Sequence, residues 1–297
     1  MTSSTLVTHR DLADWPLPRP GSDKESRGRV LVVGGAPGTP GAVLLAGEAA
    51  LRAGAGKLQL LTSPDTCAPL AVAVPESATL PWPHPALTGT PDESAPVPAD
   101  VTDALAGADT VLVGPGVATP DAAADLVARV LDGLAEEAGL VVDALGSAFL
   151  TGRPDGLGPV AARTVLTVNP TELAHVLGVD EDEVAADLAA ATAEAARRTG
   201  AVVLGGGPVK HVAAPTGEAW QITVGGPGLG VSGSGDVQSG IVSGLLARGC
   251  EPAQAAVWGA YLHGAAGEEL SRAVGTVGFL ARELPGRVPG LLTALRR

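Results

Sequence analysis

Short apolar runs, each closed by glycine or by a single polar residue, alternate along this chain with longer Ala- and Leu-rich stretches. The runs are residues 30–33 (VLVV), 57–61 (KLQLL), 110–113 (TVLV), 140–142 (LVV), 164–168 (TVLTV) and 201–204 (AVVL). A run with little polar alternation is apolar on both faces, the pattern of a parallel strand covered on both sides. Parallel neighbours need long crossovers, and the stretches between the runs supply them. Residues 42–53, stopped by Gly54, read as a helix, as do 120–136, 181–199, about 236–249 and 253–272. Residues 209–214 and 218–224 flank Pro215-Thr216-Gly217 and read as a β-hairpin. The alternation predicts one doubly wound α/β domain, a mostly parallel sheet between two helical layers.

The domain is expected over residues 29–297, preceded by a polar, Pro-containing arm at 1–28. Residues 74–100, rich in Pro and turn formers, read as a loop or excursion rather than a domain linker. Aromatics make up only 2% of the chain, so Val, Leu and Ala must fill the core. A net charge of −13 argues against nucleic-acid or anionic-membrane partners, yet leaves room for a small anion held by backbone amides. Cys67 and Cys250 match no metal spacing and form no disulfide framework, so both read as ordinary thiols. The first residues contain no apolar signal core, and no run reads as a membrane span. A reducing cytoplasm is the expected location.

Ligands of open α/β sheets bind beyond the carboxyl ends of the strands. The residues standing there are Gly34, Gly35, Gly41 and Ala42; Gly114, Pro115 and Gly116; Asp143; Asn169, Pro170 and Glu172; and Gly205, Gly206 and Gly207. Each glycine turn could be a tight βα connection or a place for close ligand approach, and several on one edge favour a phosphate-bearing ligand. The segment GVSGSGDVQSG, residues 230–240, stands out. Gly233, Ser234 and Gly235 precede a helix, whose first amides lack partners and carry partial positive charge, so the turn can hold an anion. Asp236 in that field is expected to be ionised, either as a base toward a bound hydroxyl or as a helix cap. Ser239, Gly240, Ser243, Gly244 and Ala247 allow close helix packing. His263 reads as a hydrogen-bonded core histidine, His175 as surface, and His84 as a loop residue. Glu172 suits a cap or a ligand contact. There is no metal cluster, P-loop or nucleophile elbow.

In order, the chain carries GRVLVVGGAPGTPGAVLLAGEAALRAGAGKLQLLT, VGPGV, VVDALG, LTVNPTELAHVLG, GSGDVQSGIVSGLLARGCEPAQAAVWGAYLHGAAG and GFLARELPGRVPGLL. As an ordered set over roughly residues 5–295, these resemble the ADP/ATP-dependent NAD(P)H-hydrate dehydratases, ribokinase-like enzymes that repair hydrated nicotinamide cofactors. The remaining length leaves no room for the epimerase domain fused to some members. The resemblance implies phosphorylation of the ring hydroxyl by ADP or ATP with Mg²⁺, followed by phosphate elimination. It implies Asp236 as base, and Ala42, Gly116 and Asn169 on the hydrated-cofactor site. It places Gly205, Gly206, Gly207, Pro208, Val209, Gly233, Ser234 and Gly235 on the nucleotide site. A homo-oligomer is also implied. Rival readings within the fold are binding without turnover and phosphorylation of another small alcohol.

The chain departs from the family pattern at several points. Gly205-Gly206 stand where Lys-Gly is usual, and Asn169 opens a motif that usually begins with His. Ser22-Asp23-Lys24-Glu25 stand for Ser-His-Lys-Gly, Gly230-Val231 for Ala-Thr, and Ala281-Arg282-Glu283 for Ala-Ser-Asp.

Overall fold

The computed structural model describes residues 4–19, 21–90 and 96–295. Its strands are β1 (Thr5–Leu6), β2 (Arg29–Val33), β3 (Lys57–Thr62), β4 (Ser77–Pro81), β5 (Thr110–Val113), β6 (Gly139–Asp143), β7 (Thr164–Val168), β8 (Val202–Gly205), β9 (Lys210–Ala213) and β10 (Ala219–Ile222). They form one sheet in the order β1-β10-β9-β8-β7-β6-β5-β2-β3-β4. The seven strands from β8 to β4 run parallel, and β9 is antiparallel to both β8 and β10.

The apolar runs do what their continuity requires. Val30 and Val32 of β2 enter one core, while Leu31 and Val33 enter the other. Val141 and Leu140, Val165 and Leu166, and Leu204 and Val203 divide in the same way. Each such side chain, fully buried, contributes about 1.5–3 kcal/mol. The helices Gly41–Ala53, Ser234–Ala247 and Pro252–Ala273 cover the first face. The helices Pro120–Gly133, Pro170–Leu177 and Leu188–Thr199 cover the second.

The first pair of helices meets almost backbone to backbone. A Cβ on Gly240 would overlap the Ala46 carbonyl, and one on Gly244 the Ala50 carbonyl. The small residues expected to permit close packing therefore do so, and they fix where the helix starting at Ser234 points.

Several expectations are corrected. The described residues of the 1–28 arm pack onto the domain: β1 pairs with β10, Leu12 and Leu17 are buried, and Trp15 stacks on Trp220 at 5.8 Å. Trp258 Nε1 and Gln254 Nε2 donate to the Trp15 carbonyl. The 74–100 excursion contains β4 and the helix Pro85–Thr88; β4 is an edge strand, where Pro81 costs no central ladder bond. The 120–136 helix ends at Gly133. The 181–199 helix is two, Glu181–Ala186 and Leu188–Thr199, because Asp187 leaves helical geometry and accepts from Ala190 N at 2.9 Å as a cap. Gly205 closes β8 rather than following it. No helix of the described residues is long and apolar enough to cross a membrane.

Candidate active site

Five adjacent strands, β8-β7-β6-β5-β2, bring their carboxyl ends to one edge. Gly205, Asn169, Asp143, Gly114 and Gly34 end or follow them in that order. Here a cavity of about 260 Å³ is lined by Asp143, Ala144, Thr167, Asn169, Glu172, Gly206, Gly233, Gly235 and Asp236. A larger groove of about 570 Å³ lies between the Leu188–Thr199 helix and the β9–β10 hairpin. The smaller cavity is the candidate site, because it combines strand ends, a helix N-terminus and clustered carboxyls.

The 233–236 turn is built by backbone. Gly233 precedes the helix at φ +88°, a conformation that favours glycine, and makes no side-chain cap. Ser234 N donates to Val231 O, and Val237 N makes the first helix bond, to Gly233 O. Gly235 and Asp236 therefore keep their N–H groups free of the helix ladder. Asp236 is the third helical residue, not the cap. Its pKa is pushed up to about 6 by burial and by the Glu172 charge, so the helix field does not set it as expected.

Two more carboxyls gather beside it. Asp143 closes β6 and is buried. Thr167 Oγ1 donates to Asp143 Oδ1 at 2.6 Å and Ser239 Oγ to Oδ2 at 2.9 Å. Burial, then the charge of Asp236, push its pKa to about 8, so at neutral pH it holds a proton. Ala144 follows with φ +50°, the one positive-φ residue other than glycine among those described. Such a conformation costs on the order of 1–3 kcal/mol and turns the chain sharply out of β6 at the cavity wall.

Glu172, read as suiting a cap or a ligand contact, is a cap in the structure and also lines the cavity. Asn169 Oδ1 accepts from Glu172 N and Glu172 Oε2 accepts from Asn169 N, both at 2.9 Å. This capping box places Asn169 at the mouth with its side-chain amide nitrogen available. Burial raises the Glu172 pKa.

Ala42 and Gly116, expected on the hydrated-cofactor site, do come together. A Cβ on Gly116 would sit 2.9 Å from Ala42 Cβ. Thr39 Oγ1 and Ala36 N both donate to Gly116 O at 2.8 Å, tying the β2 loop to the β5 loop. Of residues 205–209, Gly206 lines the cavity.

Other side chains gained definition. His84, expected in the Pro-rich loop, is buried there as the cap of the Pro85–Thr88 helix, accepting from Ala86 N on Nδ1 and bonding Asp125 through Nε2 at 2.9 Å. His175 is exposed, as expected. His263 is buried with Nε2 2.9 Å from Ser234 Oγ. Burial and the Lys210 charge hold it neutral, with a pKa near 3. Asp143, Ala144 and Lys210 had no assigned role in the sequence; only the recurrence of strand ends hinted at Asp143.

Known proteins match this architecture. The family described as NAD(P)H-hydrate dehydratase matches residues 30–289. This chain belongs to that family. An ADP-dependent (S)-NAD(P)H-hydrate dehydratase of Xanthomonas campestris pv. campestris is 42% identical over 293 residues, covering 98% of this chain and 97% of the relative. A bifunctional NAD(P)H-hydrate repair enzyme of Moorella thermoacetica is 37% identical over 90% of this chain, which spans 50% of that longer relative. Among solved structures, a ribokinase-like superfamily protein of Enterococcus faecalis superposes with a TM-score of 0.84 at 21% identity, over 99% of this chain and 97% of the other. An ADP/ATP-dependent NAD(P)H-hydrate dehydratase of Bacillus subtilis, co-crystallised with ATP/Mg²⁺, gives 0.79 at 24% identity, over 99% and 100%. The ribokinase-like fold expected from the sequence is the fold of this family member.

Proposed function

We propose that this chain catalyses the ADP-dependent dehydration of hydrated NAD(P)H. The observation that carries the reading is Asp236. Its carboxyl is poised near 6, so it is largely ionised at neutral pH yet still basic enough to take a proton. It stands one residue from amides free to hold a transferring phosphate, against a wall that carries Asn169 and Glu172. The 42% identity to the Xanthomonas relative extends over almost the full length of both chains and supports the same reaction and donor.

In the proposed sequence the ring hydroxyl lies against Asp236. The carboxylate takes its proton as the oxygen bonds the terminal phosphorus of ADP and the bond to AMP breaks. The Gly235 and Asp236 amides stabilise the charge on the transferring group. The ring C–O bond then breaks, phosphate leaves with its electron pair, and loss of a neighbouring ring proton restores the double bond. Ala42, Gly116 and Asn169 would hold the nicotinamide side. Residues 205–209 with Gly233, Ser234 and Gly235 would hold the nucleotide.

Among the described residues no group of three or more His, Cys, Asp or Glu is arranged to hold a metal. Mg²⁺ fits this site as an escort bound to the nucleotide phosphates rather than as a resident ion. Cytoplasmic residence and a homo-oligomeric state accompany the proposal, with fractionation and light scattering as their tests. The activity test is the return of reduced-nicotinamide absorbance when purified protein meets hydrated NADH or NADPH with ADP, then ATP. No return with either donor, in folded protein, would remove the proposal.

A further inference from the structure

A cavity walled by carboxyls that receives a polyphosphate needs positive charge. Among the described residues, no lysine or arginine lines it. The free amides of the helix supply only partial charge. The chain has three lysines. Lys57 pairs with Glu25, and Lys24 lies beside that same pair in the 21–28 segment. Lys210 is different.

Lys210 opens β9, opposite Ile222 of β10. On the other side Gly205 pairs with His211, a register that sets Lys210 across from Gly206, a residue of the cavity wall. Alternation puts the Lys210 side chain on the sheet face of Val212, whose core is shared with the Pro252–Ala273 helix. Its Nζ lies 3.9 Å from the point where a side chain on Gly225 would begin.

The residue is only 6% exposed, and no hydrogen bond or ion pair to its side chain is found among the described residues. Burial alone pulls its pKa down to about 8. Glu268 reaches the same rim but is engaged elsewhere, accepting from Gly225 N at 3.2 Å and pairing with Arg272 at 2.8 Å. A largely buried ammonium without a counter-charge is costly, so its retention favours an anion that arrives later.

A second orphan group points to the same place. His263 Nδ1 is buried without a partner, while Nε2 meets Ser234 of the 233–236 turn. His263 is neutral beside the Lys210 charge, and its one printed side-chain bond ties the Pro252–Ala273 helix to the 233–236 turn. Lys210 is thus bracketed by two wall segments, through Gly206 on one side and through His263 and Ser234 on the other. Position 205 could not take over its role unaided, since a Cβ there would overlap Thr192 Oγ1, held by the Leu188 carbonyl at 2.7 Å.

We propose that Lys210 is the counter-charge for the phosphate chain of the bound nucleotide, reached between the 205–209 loop and the 233–236 turn. The inference rests on the nucleotide-dependent reading above.

The test compares wild type with Lys210→Met and Lys210→Arg, using calorimetric affinity for ADP and for adenosine and the melting temperature of ligand-free protein. Lys210→Met should weaken ADP by about ten- to a hundredfold, as expected for a lost charged hydrogen bond, and leave adenosine unchanged. Lys210→Arg should recover most of the ADP affinity. Ligand-free Lys210→Met should melt no lower than wild type, because it removes an unpaired buried charge. ADP affinity unchanged in Lys210→Met, or ADP and adenosine weakened equally, overturns the proposal while wild-type binding keeps the functional reading. Wild type that binds neither ADP nor ATP overturns both. Should Lys210→Met unfold, the drop itself counts against the proposal, and Lys210→Gln with the same ligand pair decides whether any ADP-selective role remains.

Discussion

On one side of the cavity three carboxyls gather: Asp143, Glu172 and Asp236. On the other, residues 205–209 carry no charged side chain, and the cation Lys210 stands one strand further out. Burial acts on both sides, raising the carboxyl pKa values and lowering that of the lysine. Both shifts favour the uncharged forms, because desolvation penalises charge of either sign. The acidic wall adds mutual repulsion, which spreads its groups along the pH scale: Asp236 near 6 can serve as a base while Asp143 near 8 stays protonated. The glycine wall instead presents backbone, with Lys210 as the cation behind it. One wall presents side chains to the cavity, the other mainly main chain.

The sharpest way to break that contrast is Asp236→Asn. Turnover should fall by about 10²–10⁴-fold, the range for losing a general base, while the melting temperature holds. Dehydration by the variant at the wild-type rate would take the acidic wall out of the chemistry. On the opposite wall, Gly205→Ala should cost about 1–3 kcal/mol by overpacking against Thr192, and much less in a Thr192→Ala background. A cycle of denaturation curves measures the difference, and purely additive effects would show that Thr192 is not the obstacle.

The next effect is a displaced pH profile. Glu172 raises the Asp236 pKa, so Glu172→Gln should lower it and move the acid limb of kcat/KM, expected near pH 6, toward lower pH. A limb that stays in place would leave burial as the whole cause. The smallest effect is on stability. Asp143 keeps its proton when folded up to about pH 8, whereas unfolded it titrates near the ordinary aspartate value of 3.8. Between those values the native state binds more protons, so this residue's contribution to stability falls as pH rises. Asp143→Asn should flatten that fall, gaining melting temperature relative to wild type at pH 8 more than at pH 5. A parallel shift at both pH values would mean the carboxyl is not protonated in the fold.

Legibility in the sequence follows the same division. Asp236 and its glycines lie within four consecutive residues, and the helix they begin is announced by the small residues after them. The glycine turn at the helix start could therefore be read directly. Asp143 could be placed after a strand but given no task, since its neighbours Thr167 and Ser239 come from β7 and from the Ser234–Ala247 helix. Lys210 was a hairpin residue whose facing partners, Gly206 and Gly225, approach it from two different connections. Asp187 broke a helix that periodicity ran straight through, because its cap to Ala190 outweighs the helical pattern around it. The Pro-rich excursion held an edge strand because Pro is tolerated there and the run itself is weakly apolar.

By itself, then, the sequence determined the layered α/β architecture, through continuous apolar runs that must be covered on both faces. It also determined the glycine turn that opens the Ser234–Ala247 helix, where Gly233 takes a left-handed step. The tertiary structure decided which strand ends are neighbours, and with that the burial and mutual charge of Asp143, Glu172, Asp236 and Lys210. Protonation states depend on desolvation and on distances between segments far apart in the chain, and both come into being only when the sheet closes its order.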